Sequence, residues 1–159
     1  MKKITIKATF NKKVINKQNS GGTTMSELFS DAWIKSLGTA WNSDPQIVEP
    51  LKKAGFTSKI SYGFINDAQP KCLLHIVNGK IISASLYQNE SIDWDLRADP
   101  NDWKKWITNG FGLSKLGAAV ATRSLQFAQG DYRQMIRNPA LSRPFLRHFV
   151  LMKQLETKF

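Results

Sequence analysis

The chain has 159 residues, enough for one domain burying roughly two thirds of the surface its unfolded form exposes. Its 42% hydrophobic content excludes wholesale disorder, and its one cysteine, Cys72, excludes an internal disulfide and multi-cysteine metal sites. The net charge of +11 suggests nucleic acid, but six lysines and no acid lie in residues 1–24; beyond them 17 basic face 12 acidic residues, a net of +5.

Residues 1–24 read as a flexible basic extension closing on Asn19-Ser20-Gly21-Gly22-Thr23-Thr24, a linker by composition. Its apolar stretch Ile4 to Phe10 is broken by Lys7 and too short for a signal-peptide core. No run in the chain approaches the ~20 apolar residues a membrane span requires. Met25 is expected to be a second start, with the domain occupying residues 25–159 and the extension dispensable.

From Ser26, a candidate N-cap, Leu28, Phe29, Trp33, Leu37 and Trp41 recur at helical spacing. Asp44-Pro45 opens a second short helix, which Gly55 ends and Pro50 is expected to bend or break. The period then falls to two. Ile60, Tyr62 and Phe64 mark a strand, Asn66 to Pro70 a turn, and Lys71 to Val77 a second strand. Asn78-Gly79 is a hairpin signal, since both residues tolerate positive φ, and Lys80 to Tyr87 is the return strand. Ser91 to Arg97 is a fourth strand, with Ile92, Trp94 and Leu96 on one face and Asp93, Asp95 and Arg97 on a face expected to be wet.

Asp99-Pro100 opens a helix carrying Trp103, Trp106 and Ile107, interrupted at Gly110 and Gly112. Leu113 to Ala121 is helical, and Ser124 to Ala128 is a fifth strand with Leu125 and Phe127 on one face. Gly130-Asp131 leads into a short helix ending near Asn138. The last helix runs from about Pro139 to Leu155, with Leu141, Phe145, Phe149 and Met152 inward and Arg143, Arg147 and Lys153 outward. Helices, four meandering strands, helices, one strand and helices make an α+β domain: a five-stranded, largely antiparallel sheet with helices over one face.

This order resembles the sterol carrier protein 2 (SCP-2) family of lipid-binding domains over about Ser26 to Leu155. The carrying segments are HIVNGKIISA (His75 to Ala84), DWDLRADPNDWKKWI (Asp93 to Ile107) and LQFAQGDYRQMI (Leu125 to Ile136), with the family's late Gly-Asp at Gly130-Asp131. The resemblance implies a non-catalytic carrier of a hydrophobic ligand: a fatty acid, an acyl-CoA, a sterol-like lipid or a quinone-type lipid. Some bacterial relatives serve as accessory proteins in quinone biosynthesis, and the long Arg-rich final helix departs from the animal domains. Burying ten methylenes at ~0.8 kcal/mol each supplies roughly 8 kcal/mol, about micromolar binding before the cost of immobilising the ligand.

The pocket is expected between the sheet's apolar face and the helices after Pro100. The sheet would contribute Phe64, Leu74, Ile76, Trp94, Leu96 and Phe127. The helices and their links would contribute Trp103, Trp106, Ile107, Phe111, Leu116, Phe145, Phe149 and Met152. Ordinary core packing accounts for the same aromatic and terminal-helix stripes, and both readings stay open. Arg133, Arg137, Arg143 and Arg147 are candidates for a ligand headgroup or an anionic membrane, or else form a solvated helix face.

Cys72 and His75 point to opposite strand faces, and His148 has no second ligand near it in sequence, so no metal site is expected. Asp93 and Asp95 mimic an acid–base pair only in spacing. No nucleophile elbow, phosphate loop or dinucleotide fingerprint occurs. A cytoplasmic protein without catalysis, cofactor or nucleic-acid partner is expected. The alternative is an accessory module with a filled core, docking a lipid- or quinone-modifying enzyme or a membrane through its basic final helix.

Overall fold

The computed structural model describes residues 25–159; the expected extension over residues 1–24 lies outside them. Ser26 does not cap the first helix. Strand β1 (Ser26–Glu27) pairs in parallel with β7 (Thr157–Lys158), tying the two ends of the domain together. Phe29 then turns the chain at φ +63° and buries its ring against Trp33 and Trp103. Helix α1 (Asp31–Asn42) can start only after that turn, and the Ser30 hydroxyl caps it, accepting from the Trp33 N–H at 3.2 Å.

Helix α2 (Pro45–Lys53) starts where Asp44-Pro45 predicts, with the Asp44 carboxylate accepting from the Gln46 N–H at 2.9 Å. Pro50 does not break it: the helix runs through, forgoing one backbone bond. Five strands follow the expected segments: β2 (Ser58–Phe64), β3 (Cys72–Val77), β4 (Lys80–Leu86), β5 (Trp94–Ala98) and β6 (Leu125–Gln129). At the β3–β4 hairpin Asn78 and Gly79 take φ of +47° and +82°, the left-handed pair that such a turn needs.

The strands do not form a simple meander. Their order is β4-β3-β2-β5-β6, so β5 leaves β4 and returns to lie parallel to β2, while every other pair is antiparallel. Burial explains the choice. Residues 95–98 of β5 are all buried, which suits a central strand, whereas β4 is largely half-buried or exposed and suits an edge.

The face expected to be wet is closed at this point. Asp95 and Arg97 are buried and joined as a fork, with Nε to Oδ1 at 2.7 Å and Nη2 to Oδ2 at 3.1 Å. The remaining guanidinium nitrogen donates to the carbonyls of Phe64 and Asp67, so the 65–71 loop folds over the pair. Gly63 permits that approach, since a Cβ there would lie 3.0 Å from the Pro70 Cα.

Helices α3 (Pro100–Asn109), α4 (Leu113–Ala121), α5 (Tyr132–Arg137) and α6 (Pro139–Gln154) join α1 and α2 in completing the α+β architecture. Asp99 caps α3, accepting from the Asn101 N–H at 3.0 Å. The core lies between the helices and the apolar face of the sheet, centred on Trp33, Leu37, Tyr62, Leu74, Leu96, Trp103 and Phe149.

Candidate functional site

One crevice enters this core from the side of α5 and α6. Its sheet wall is Ile60, Trp94 and Leu96, and its helical wall is Met135, Leu141, Pro144, Phe145 and His148. Trp41, Leu51 and Phe56 close its end. The part wide enough for a water-sized sphere is about 30 Å³, room for roughly two waters. A drug-sized ligand needs about 300 Å³ or more, so the crevice is narrow in this conformation.

Local chemistry sets its shape. Gly130 at φ +105° lies against the Trp94 ring, and a Cβ there would come within 2.4 Å of it. Asp131 then caps α5, accepting from the Gln134 N–H at 3.1 Å. The Gly-Asp pair thus lets the chain pass over Trp94 and starts the helix that carries Met135. Asn138 caps α6 and Pro139 opens it. Pro144, inside α6, removes the bond its position would make to the Ala140 carbonyl, so the first turn of α6 is tied less firmly than the rest.

Of the residues expected to line a pocket, Trp94, Leu96 and Phe145 do. Phe127 stands just behind them, in ring contact with Trp94 and Phe145. Most of the others lie in packed core, though Phe64 is only half-buried and Phe111 also edges a groove beside α6. The Trp103 ring stacks on Phe149 at 6.3 Å, and its Nε1 donates to the Gly63 carbonyl at 2.9 Å. Trp106 and Phe111 pack at 4.7 Å, and Phe111 meets Phe149 at 4.6 Å. Leu74, Ile76, Ile107, Leu116 and Met152 are buried without bordering the crevice, and Phe64 packs on Phe29 at the far end of β2.

Sequence reasoning passed over Trp41, Met135 and, above all, His148. A signal existed: His148 falls three residues after Phe145 and seven after Leu141, a polar residue on an apolar stripe. It is 1% exposed, and its ring meets those of Trp41, Tyr62, Phe145 and Phe149. Nδ1 is hydrogen-bonded to the Phe145 carbonyl, and Nε2 has no partner among the described residues. Burial lowers its pKa from 6.5 to about 4, against an opposing contribution from that carbonyl. The Tyr62 hydroxyl is likewise buried without a partner among the described residues; burial and then Cys72 raise its pKa.

Arg133, Arg137 and Arg143 are exposed, but Arg147 is not free as expected. It is half-buried and donates through Nε to the Asp44 carboxylate at 2.7 Å, clamping the start of α2 to α6. Replacing Asp44 with alanine removes both a cap and a counter-charge, and is expected to cost about 2 kcal/mol in urea unfolding. Asp44→Asn, which keeps the cap, should lose less; equal losses would assign the effect to the Arg147 ion pair alone. Among the described residues no cluster of three or more potential ligands is placed to hold a metal ion, and no helix is long and apolar enough to cross a membrane.

No family model and no curated protein matches the sequence. Solved structures do match its fold. The crystal structure of sterol carrier protein 2 is 15% identical with a TM-score of 0.65, covering 81% of this chain and 99% of its own. A Thermus thermophilus protein described as possibly a sterol carrier protein is 14% identical with a TM-score of 0.60, covering 86% and 97%. The UbiJ-SCP2 ubiquinone synthesis protein is 12% identical with a TM-score of 0.51, covering 77% and 89%. The chain has the SCP-2-like fold, as the resemblance in its sequence implied.

Proposed function

We propose that the chain is a non-catalytic, cytoplasmic carrier of a hydrophobic ligand, and that the crevice between α5–α6 and the sheet is the closed form of its binding cavity. The observation carrying this reading is an almost wholly apolar crevice reaching the centre of a domain whose fold is that of sterol carrier protein 2. One wall is the sheet, which is rigid. The other is a short helix and the weakly tied first turn of α6, which meet at Asn138-Pro139. Outward movement of that wall widens the crevice without disturbing the aromatic core around Trp103. The bound acyl or prenyl chain then replaces the lost helix–sheet contacts with its own buried area.

Native mass spectrometry of the protein before and after delipidation tests the reading. A stoichiometric lipid, lost on delipidation and regained on re-exposure, is the expected result; a protein that never takes up lipid overturns it. Leu141, half-buried on the helical wall, offers a second check. Leu141→Trp should fill the crevice and lower lipid uptake about tenfold, while costing about 1–3 kcal/mol of stability. Undiminished uptake would put the cavity elsewhere.

A second reading has one observation in its favour. A groove between α2 and α6, lined by Phe111, Leu146, Val150 and the exposed Arg143, puts apolar and cationic groups side by side on the surface. In that reading the fold is an accessory module that docks a lipid- or quinone-modifying enzyme or an anionic membrane. A lipid-free protein that co-sediments with anionic vesicles would favour it.

A further inference from the structure

One titratable residue, His148, stands among the apolar residues that line the crevice. His148 Nδ1 faces the Phe145 carbonyl, which can only accept, so Nδ1 carries the proton. In the neutral ring Nε2 is then a bare acceptor on the opposite edge, and no donor among the described residues meets it. Buried acceptors are satisfied in native proteins with few exceptions. The Tyr62 ring lies 6.0 Å from that of His148, and its hydroxyl is a second buried group without a partner among the described residues. A chain residue that lacks a partner and borders a ligand crevice is a recognition group in waiting.

We propose that His148 Nε2 anchors the head of the bound ligand by accepting a hydrogen bond from a neutral hydroxyl, so that the cavity takes an alcohol- or phenol-headed amphiphile. The inference rests on the carrier reading above and narrows its ligand class. Among a hydroxyl, an ether, an ester and an ionised carboxylate, the hydroxyl alone both donates to Nε2 and accepts from a phenol such as Tyr62. An ether or ester offers acceptors alone and leaves Nε2 unmet. An ionised carboxylate likewise cannot donate, and it would enter without a counter-charge: none of the residues lining the crevice is charged, and Arg147 is committed to Asp44.

Para-octylphenol, its methyl ether para-octylanisole, and para-octylbenzoate differ only at the head and serve as probes. They are titrated into the delipidated full chain at a pH near 8, where the phenol is neutral and the benzoate ionised. The phenol is expected to bind about tenfold or more tighter than its ether, with the benzoate weakest, because a site built around a hydroxyl rejects analogues lacking it. His148→Phe should bring the phenol-to-ether ratio to about one, whereas Tyr62→Phe, the less disruptive change, should lower it only in part. Equal binding of phenol and ether to the unaltered protein, tightest binding of the benzoate, or an unchanged ratio in a folded His148→Phe protein would overturn the assignment and leave the carrier reading standing. Failure of all three probes to bind would take the carrier reading down and this inference with it.

Discussion

Replacing Arg97 with leucine is expected to cost about 3–5 kcal/mol of unfolding free energy, the largest loss anticipated for a single change in this domain. Two residues on one face of β5 create the dependence. Asp95 and Arg97 are both buried, and their fork of 2.7 and 3.1 Å bonds is possible because alternate strand residues share a face. Leucine would leave the Asp95 carboxylate buried and uncompensated. It would also release the Phe64 and Asp67 carbonyls that hold the 65–71 loop over the sheet. Urea unfolding measures the loss. The paired replacement Asp95→Leu with Arg97→Leu should be milder than Arg97→Leu alone, since it removes both charges together. A loss below about 1 kcal/mol for Arg97→Leu would mean the pair is far better solvated than its burial indicates.

Acidification should weaken the fold through His148. Its pKa is lowered to about 4 in the folded protein from 6.5, so between those values the unfolded chain binds a proton that the folded chain refuses. Stability from this group is complete above pH 6.5 and falls as pH drops towards 4. Across that window the loss should reach roughly 3 kcal/mol. No charged side chain is among the residues in ring contact with it, so desolvation alone opposes the charge. Carboxylates elsewhere also titrate as acid is added, so the informative quantity is the difference between the wild-type profile and that of His148→Phe. The variant should show a flatter profile through this range. Parallel profiles would show that the imidazole already has a partner that accepts its charge.

The two changes sit on opposite sides of the sheet and report on different parts of the molecule. The Arg97 pair holds a loop against the sheet's second face, remote from the crevice. His148 lies in the wall that must move if a ligand enters. Its cost at low pH therefore also bears on binding: a protonated ring would push the α6 wall towards water, and ligand release is expected to rise as pH approaches about 4.

What was legible in the sequence was everything that neighbouring residues settle among themselves. Asp44-Pro45, Asp99-Pro100 and Gly130-Asp131 start helices because a carboxylate close by in the chain caps the free N–H groups, whatever lies beyond. Asn78-Gly79 turns a hairpin by its own backbone freedom. The alternation of two and the stripe of three and four gave each strand and helix its apolar side, and with that the α+β class and the likeness to SCP-2 domains. Only the tertiary structure decided which strand lies beside which, and what is consumed in packing. The return of β5 to β2, the burial of Asp95 with Arg97, the closure of β1 on β7 and the filling of the space around Trp103 all depend on contacts that local sequence does not encode. Side-chain type tells how much apolar surface must be hidden; it carries no address for the partner that hides it. The same stripe on α6 therefore served equally as core at Phe149 and as crevice wall at Phe145 and His148, and only the position of the opposing sheet separates the two.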